Sequence, residues 1–121
     1  MIKGTGIDII ELDRVSKLIS RQPKIIDRVL TVREKELYDH FNTEKRKIEF
    51  FAGRFAGKEA FSKAVGTGIG KLSFQDIEIL PDKNGAPVIQ SHVVEGDRLF
   101  VSISHSEAYA VAQVIIEVDS A

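Results

Sequence analysis

The segment from Glu44 to Val65 limits the fold more than any other stretch of the chain. Ile48, Phe51, Ala52 and Phe55 recur at helical spacing, which predicts one long helix. Ala52, Ala56, Ala60 and Ala64 fall four residues apart and form a row of small side chains where another element can pack closely. Gly66 stands where such a helix ends in a left-handed turn. Beyond it the period changes. Phe74 to Leu80 mostly alternates apolar and polar residues, as a half-buried strand does, and Asp82-Lys83-Asn84-Gly85-Ala86-Pro87 is turn chemistry. Two further strands, Leu99–Ser104 and Tyr109–Glu117, are expected to pair across His105-Ser106-Glu107.

Ahead of the long helix, Lys3 to Ile10 reads as a strand whose Gly4 and Gly6 allow close approach to the backbone. Glu11 to Gln22 has a Leu12/Val15/Ile19 helical stripe, stopped by Pro23. Thr31-Val32-Arg33-Glu34 is a capping-box pattern opening a short helix that carries Leu37 and Phe41. A strand, then helices, then several strands predicts an α+β fold, a mainly antiparallel sheet packed on a long helix. With 121 residues the chain is expected to be one domain, residues 1–121, with a frayed tail from Val118 to Ala121.

Charge and composition remove several classes of function. Lys+Arg 17 against Asp+Glu 18 speaks against a general nucleic-acid or membrane-surface binder, which needs a net basic face. With no Cys there is no disulfide framework and no thiolate nucleophile. Neither a signal-like start nor an apolar run long enough to span a bilayer is evident, so a soluble cytoplasmic protein is expected. A domain this small buries only about two-thirds of its unfolded surface, which leaves room for a partner subunit to complete the core.

The candidate chemistry centres on two carboxylates. Taken singly, Asp8 is as readily an edge or capping carboxylate, and Glu59 an exposed partner of Lys63 one helical turn on. Considered together they suit a hard dication such as Mg²⁺, which takes one or two carboxylates and completes its shell with phosphate oxygens and water. Softer metals would want Cys or clustered His, and the histidines are only His40, His92 and His105. The long helix adds Arg46, Arg54, Lys58 and Lys63, which read either as a solvated face or as cations for a polyanionic nucleotide. The glycine-rich Gly66–Lys71 segment follows a helix and lacks P-loop spacing, so it reads as a connection. Residues 14–28 are locally basic, and Arg14, Leu18 and Arg21 share a stripe distinct from the core stripe. That stripe is either ordinary surface or a docking site for an acidic protein.

Jointly, Gly4-x-Gly6-Ile7-Asp8 with Glu11-x-x-Arg14, then Phe55-Ala56-x-Lys58-Glu59-Ala60-Phe61-x-Lys63-Ala64, then Ser102-Ile103-Ser104-His105, resemble the holo-[acyl-carrier-protein] synthases. These are the short bacterial type of 4′-phosphopantetheinyl transferase, and the resemblance runs over nearly the whole chain. It implies transfer of the phosphopantetheine arm of coenzyme A to a serine of acyl carrier protein, with release of adenosine 3′,5′-bisphosphate, in support of fatty acid biosynthesis. It further implies Mg²⁺ on Asp8 and Glu59, and Lys63 on the diphosphate or leaving phosphate. Arg46 is implied on the 3′-phosphate, the Asn84-Gly85-Ala86-Pro87 turn near the adenosine, and His105 toward the phosphates from a neighbouring subunit of a homotrimer. Arg14, Leu18, Arg21 and Arg28 are implied to meet the acidic carrier. Glu59, a water or another carboxylate remains open as the general base. A non-catalytic adaptor docking an acidic partner through its first helix is the rival reading.

Overall fold

A computed structural model describes residues 1–118. The chain begins with strand β1 (Ile2–Glu11), followed by helices α1 (Leu12–Arg21), α2 (Ile25–Val29), α3 (Val32–His40) and α4 (Glu44–Val65). A 3-10 turn at Phe74–Asp76 leads into β2 (Ile77–Pro81), β3 (Pro87–Ser91), β4 (Arg98–His105) and β5 (Tyr109–Glu117). The fold is α+β, and its five described strands pair antiparallel: β5 lies between β1 and β4, while β2 and β3 form a separate two-stranded sheet.

The seam between β1 and α4 explains both the glycines and the alanine row. A Cβ on Gly6 would collide with the carbonyl oxygen of Ala60, and one on Gly4 with that of Ala64. Two residues of strand rise about 6.6 Å and four of helix about 6 Å, so strand and helix run in opposite directions and stay in step. Ala56 and Ala60, fully buried, pack with Val114 and Ile116 of β5 and with Ile77 and Ile79 of β2. Farther up the helix, Phe51 and Ala52 join Leu12, Val15, Val29 and Tyr38 in a second cluster, and Ile10 and Ile69 touch both.

The other face of the three-stranded sheet is open. Ile7 and Ile9 alternate with Asp8, and pairing places them beside Gln113 and Val111 of β5. Ile7, Ile9, Phe100 and Tyr109 are all exposed there, at 60%, 63%, 49% and 45%.

A buried polar hub fixes α4 against the small helices. Thr31 and Glu34 form the expected capping box: the Thr31 N–H donates to Glu34 Oε1 (2.8 Å), and the Glu34 N–H donates to Thr31 Oγ1 (3.3 Å). Glu34 Oε2 accepts the Ile79 N–H at 2.7 Å. The Lys58 ammonium, wholly buried, donates to Glu34 Oε1 (2.6 Å), Val29 O (2.7 Å) and Phe74 O (3.1 Å). Lys58 therefore corrects the sequence reading: it faces the core and is no phosphate ligand. Burial pushes its proton affinity down, against the opposing pull of Glu34.

Several boundaries also differ from expectation. Helix α2 was not foreseen, because five residues give no usable periodicity. Phe74, assigned to a strand, belongs to a 3-10 turn that Ser73 and Asp76 cap reciprocally. In α3 the buried apolar residue is Tyr38 rather than Leu37, and Phe41 caps the helix instead of lying within it. The predicted frayed tail lies outside the described residues from Asp119 onward, whereas the Val118 N–H donates to Met1 O at 2.9 Å.

Candidate active site

The in-step seam that seats Gly6 on Ala60 delivers the next inward residue, Asp8, to the side of α4 that carries Glu59 and Lys63. Lys63 reaches back across the seam, donating to Ile7 O at 2.9 Å and to Asp8 Oδ1 at 3.1 Å. The simple surface pair of Glu59 with Lys63 is thus replaced by a cross-element pair of Lys63 with Asp8. Burial and the nearby Asp8 carboxylate raise the pKa of Glu59, while Lys63 works in the opposite sense. Asp8 and Glu59 thus face one space, with the Lys63 ammonium beside them.

That space is a cleft of about 420 Å³ shared by Asp8, Glu59, Arg14, Leu18 and Arg21, with Phe55 in its wall. Sequence reasoning had the carboxylates and the basic stripe as separate features, and the structure makes them one surface. Leu12 and Val15 are buried as the core stripe of α1, which turns Arg14 and Arg21 outward. Arg28 does not line this cleft and belongs to the last turn of α2. Among the described residues no group of three or more His, Asp or Glu side chains is arranged to hold a metal. A two-carboxylate set suits only an ion that takes its remaining ligands from substrate and water, as Mg²⁺ does.

Arg46 and His105 meet near the amino-terminal end of α4, while Arg54 lies mid-helix and the Asn84–Pro87 turn joins β2 to β3. Arg46 lies over the ring of Phe41 at 5.2 Å, and its Nε is 4.0 Å from Glu49 Oε1. His105, the last residue of β4, puts Nδ1 3.6 Å from the second Glu49 oxygen. Arg54 stacks on Phe50 at 4.1 Å and donates from Nε to Ile79 O at 3.2 Å. Its burial pushes its pKa down to about 10. The Asn84–Pro87 turn is held by Asp82, whose Oδ1 accepts the N–H groups of Asn84 (2.8 Å) and Ala86 (3.0 Å), with Gly85 in the left-handed region at φ 87°.

Sequence reasoning missed Glu49, the acid shared by Arg46 and His105, although its position three residues after Arg46 was a usable signal. It also missed the inward turn of Lys58. Phe51, Lys58 and Ser62 lie at i, i+7 and i+11, one stripe of the helix, and that stripe is buried.

A family model described as the 4′-phosphopantetheinyl transferase superfamily matches residues 4–114. The holo-[acyl-carrier-protein] synthase of Anoxybacillus flavithermus is 60% identical over 118 residues, 97% of each chain. That of Bacillus pumilus is 53% identical, again over 97% of each chain. Among solved structures, the holo-(acyl-carrier-protein) synthase of Bacillus anthracis in complex with CoA (3′,5′-ADP) superposes with a TM-score of 0.90 at 48% identity, covering 98% of this chain and 99% of that one. The Helicobacter pylori holo-[acyl-carrier-protein] synthase in complex with coenzyme A gives 0.82 at 37% identity, covering 93% and 99%.

Proposed function

This chain belongs to the 4′-phosphopantetheinyl transferase superfamily, and on that footing we propose that it transfers the phosphopantetheine arm of coenzyme A to a serine of an acyl carrier protein. The observation that carries the reading is the single cleft in which Asp8 and Glu59 stand beside Arg14, Leu18 and Arg21. An adaptor needs only the basic stripe; it has no use for two carboxylates gathered next to it.

In the reaction the serine oxygen forms a bond to the pantetheine-side phosphorus of coenzyme A. The bond from that phosphorus to the bridging oxygen breaks, and adenosine 3′,5′-bisphosphate leaves. Asp8 and Glu59 would hold Mg²⁺, which supplies charge neutralisation of the diphosphate. One further feature supports the fit: the raised proton affinity of Glu59, caused by burial and by the neighbouring Asp8 carboxylate. Lys63, already anchored on Asp8, is placed to meet a phosphate oxygen on the same side. Glu59, directly or through a water, is our candidate for accepting the serine proton, since a partly desolvated carboxylate is a stronger base than a free one. Arg14, Leu18 and Arg21 would receive the acidic carrier, with Arg28 extending the basic surface.

Arg46, Arg54, His105 and the Asn84–Pro87 turn are proposed to hold the adenosine 3′-phosphate end. Along α4, Arg46 precedes Glu59 by roughly 20 Å at 1.5 Å per residue. The 3′- and 5′-phosphates hang on one ribose, a span much shorter than that separation along the helix. This supports a site assembled between subunits, one supplying Asp8, Glu59 and Lys63 and its neighbour the Arg46/His105 end. The open apolar sheet face of Ile7, Ile9, Phe100 and Tyr109 is the natural contact for a homotrimer of that kind. No helix among the described residues is long and apolar enough to cross a membrane. We take the chain as one domain acting in the cytoplasm on carriers of fatty acid biosynthesis.

Incubation with apo-carrier protein, coenzyme A and Mg²⁺ tests the proposal. A mass gain of one phosphopantetheine on the carrier is expected, and its absence in every divalent metal tried would overturn the reading.

A further inference from the structure

Glu49 is the acid that stands beside both Arg46 and His105 near the amino-terminal end of α4. We propose that Glu49 is a positioning residue, one that sets the ring orientation of His105 and the reach of Arg46 toward the 3′-phosphate of coenzyme A. The inference rests on the reading above, which gives this end of the site to that phosphate.

The carboxylate stands between the imidazole and the guanidinium, with Oε2 3.6 Å from His105 Nδ1 and Oε1 4.0 Å from Arg46 Nε. Its exposure separates it from its neighbours. The Glu49 side chain is 12% exposed, whereas those of His105 and Arg46 are 50% and 64% exposed. A largely covered acid beneath two exposed basic side chains has the form of an anchor rather than a competitor for ligand. His105 ends β4, where it pairs with Ala110, and its ring is half exposed. An imidazole free to flip presents either nitrogen. With Nδ1 drawn to Glu49, the ring is oriented so that Nε2 points away from the acid, and in the imidazolium form its N–H donates toward an incoming anion. Arg46 is held on two sides, by Glu49 and by the Phe41 ring, which leaves its terminal nitrogens as the donors for phosphate.

The charges around the ring keep this end attractive to an anion. Lys45 pairs with Glu107 at 3.4 Å across the β4–β5 turn, and both side chains are exposed, at 64% and 91%, so that pair adds little of its own. Arg46 and a protonated His105 outweigh Glu49 by one charge. Removing Glu49 would increase the positive charge, so a purely electrostatic view predicts tighter binding of the 3′-phosphate. Positioning predicts the opposite sign, which makes the two separable.

The experiment compares Glu49→Gln with the unaltered full-length protein, using coenzyme A and 3′-dephospho-coenzyme A as alternative substrates at saturating apo-carrier protein. Ring ¹⁵N shifts of His105 are recorded in parallel. The expected result is a rise of about tenfold in KM for coenzyme A, the scale of one charge-assisted contact. The fall in kcat is expected to be smaller than that rise, with little change in KM for the dephospho substrate and loss of the Nδ1-linked His105 signature. An equal rise for both substrates, or a tighter KM for coenzyme A, overturns the proposal. Arg46→Ala and His105→Ala serve as references. If they weaken discrimination for the 3′-phosphate and Glu49→Gln does not, the positioning role fails while the site reading stands. If none of the three alters discrimination, the assignment of this end falls, and the inference with it.

Discussion

Replacing Lys58 by methionine isolates the hub from the catalytic cleft. Methionine keeps most of the volume and the unbranched shape but removes the ammonium that meets Glu34, Val29 O and Phe74 O. Glu34 would retain the N–H donors of Thr31 and Ile79. It would nevertheless remain a carboxylate in a wholly buried position without its counter-ion, and two carbonyls would lose a donor. Breaking one side of a buried ion pair costs about 3–5 kcal/mol. With roughly 4 °C of melting temperature per kcal/mol for a chain of this size, the midpoint should fall by about 12–20 °C. Thermal and urea unfolding, both at one fixed protein concentration because assembly contributes to stability, measure it. A loss below about 1 kcal/mol would mean that the ammonium is not needed to compensate Glu34, and the hub would then be simple packing.

Five further outcomes test other parts of the molecule. Gly6→Ala should lose about 1–3 kcal/mol or more, because its methyl meets the rigid backbone of Ala60; an unchanged unfolding midpoint would contradict the close seam. Asp8→Asn and Glu59→Gln should each cut transfer on the order of 100-fold with the circular dichroism spectrum unchanged, and near-normal turnover at limiting Mg²⁺ would remove the metal assignment. Glu59 has its pKa raised by burial and by Asp8, so proton and metal compete for it. The acid limb of activity should therefore move to lower pH as Mg²⁺ is increased, and a limb indifferent to the metal refutes the competition. In metal-free protein, folding stability should fall as pH rises from the ordinary carboxylate range through the raised Glu59 value, because the folded chain there binds a proton the unfolded chain has released; Asp8→Asn should shrink that fall. Arg14→Glu should raise KM for the carrier about tenfold at low salt, with the gap closing as salt screens it, and a salt-independent effect would point to a folding defect instead.

What the sequence revealed depended on whether a signal was local. The long helix was legible because its apolar spacing, alanine row and closing glycine all agree, and Gly66 does end it with φ 91°. The carboxylate pair was not visible in spacing, since Asp8 and Glu59 are 51 positions apart in the numbering and meet only through the glycine–alanine seam. Their joint meaning came from the set of motifs rather than from either residue. Lys58 was misread because a cation beside Glu59 suggests a solvated face, while its inward direction follows from the Phe51/Lys58/Ser62 stripe. Even that stripe does not announce Glu34, its partner from another helix. Helix α2 was invisible for a different reason: at five residues its stability comes from packing Val29 into the core rather than from its own pattern.

The adjacency of Lys58 and Glu59 ties fold to chemistry. One residue turns a helix by about 100°, so the same two positions send one charge into the core and the next into the cleft. That division holds only if α4 cannot roll. Two features oppose rolling from different sides: the glycines of β1 seated on Ala60 and Ala64, and Lys58 locked to Glu34, Val29 and Phe74. A roll large enough to bury Glu59 would expose Lys58 and leave Glu34 uncompensated, a change costing about as much as the loss of the ion pair itself. The buried charges of the hub thus act on the site without touching it, by fixing the rotation at which Glu59 faces Asp8.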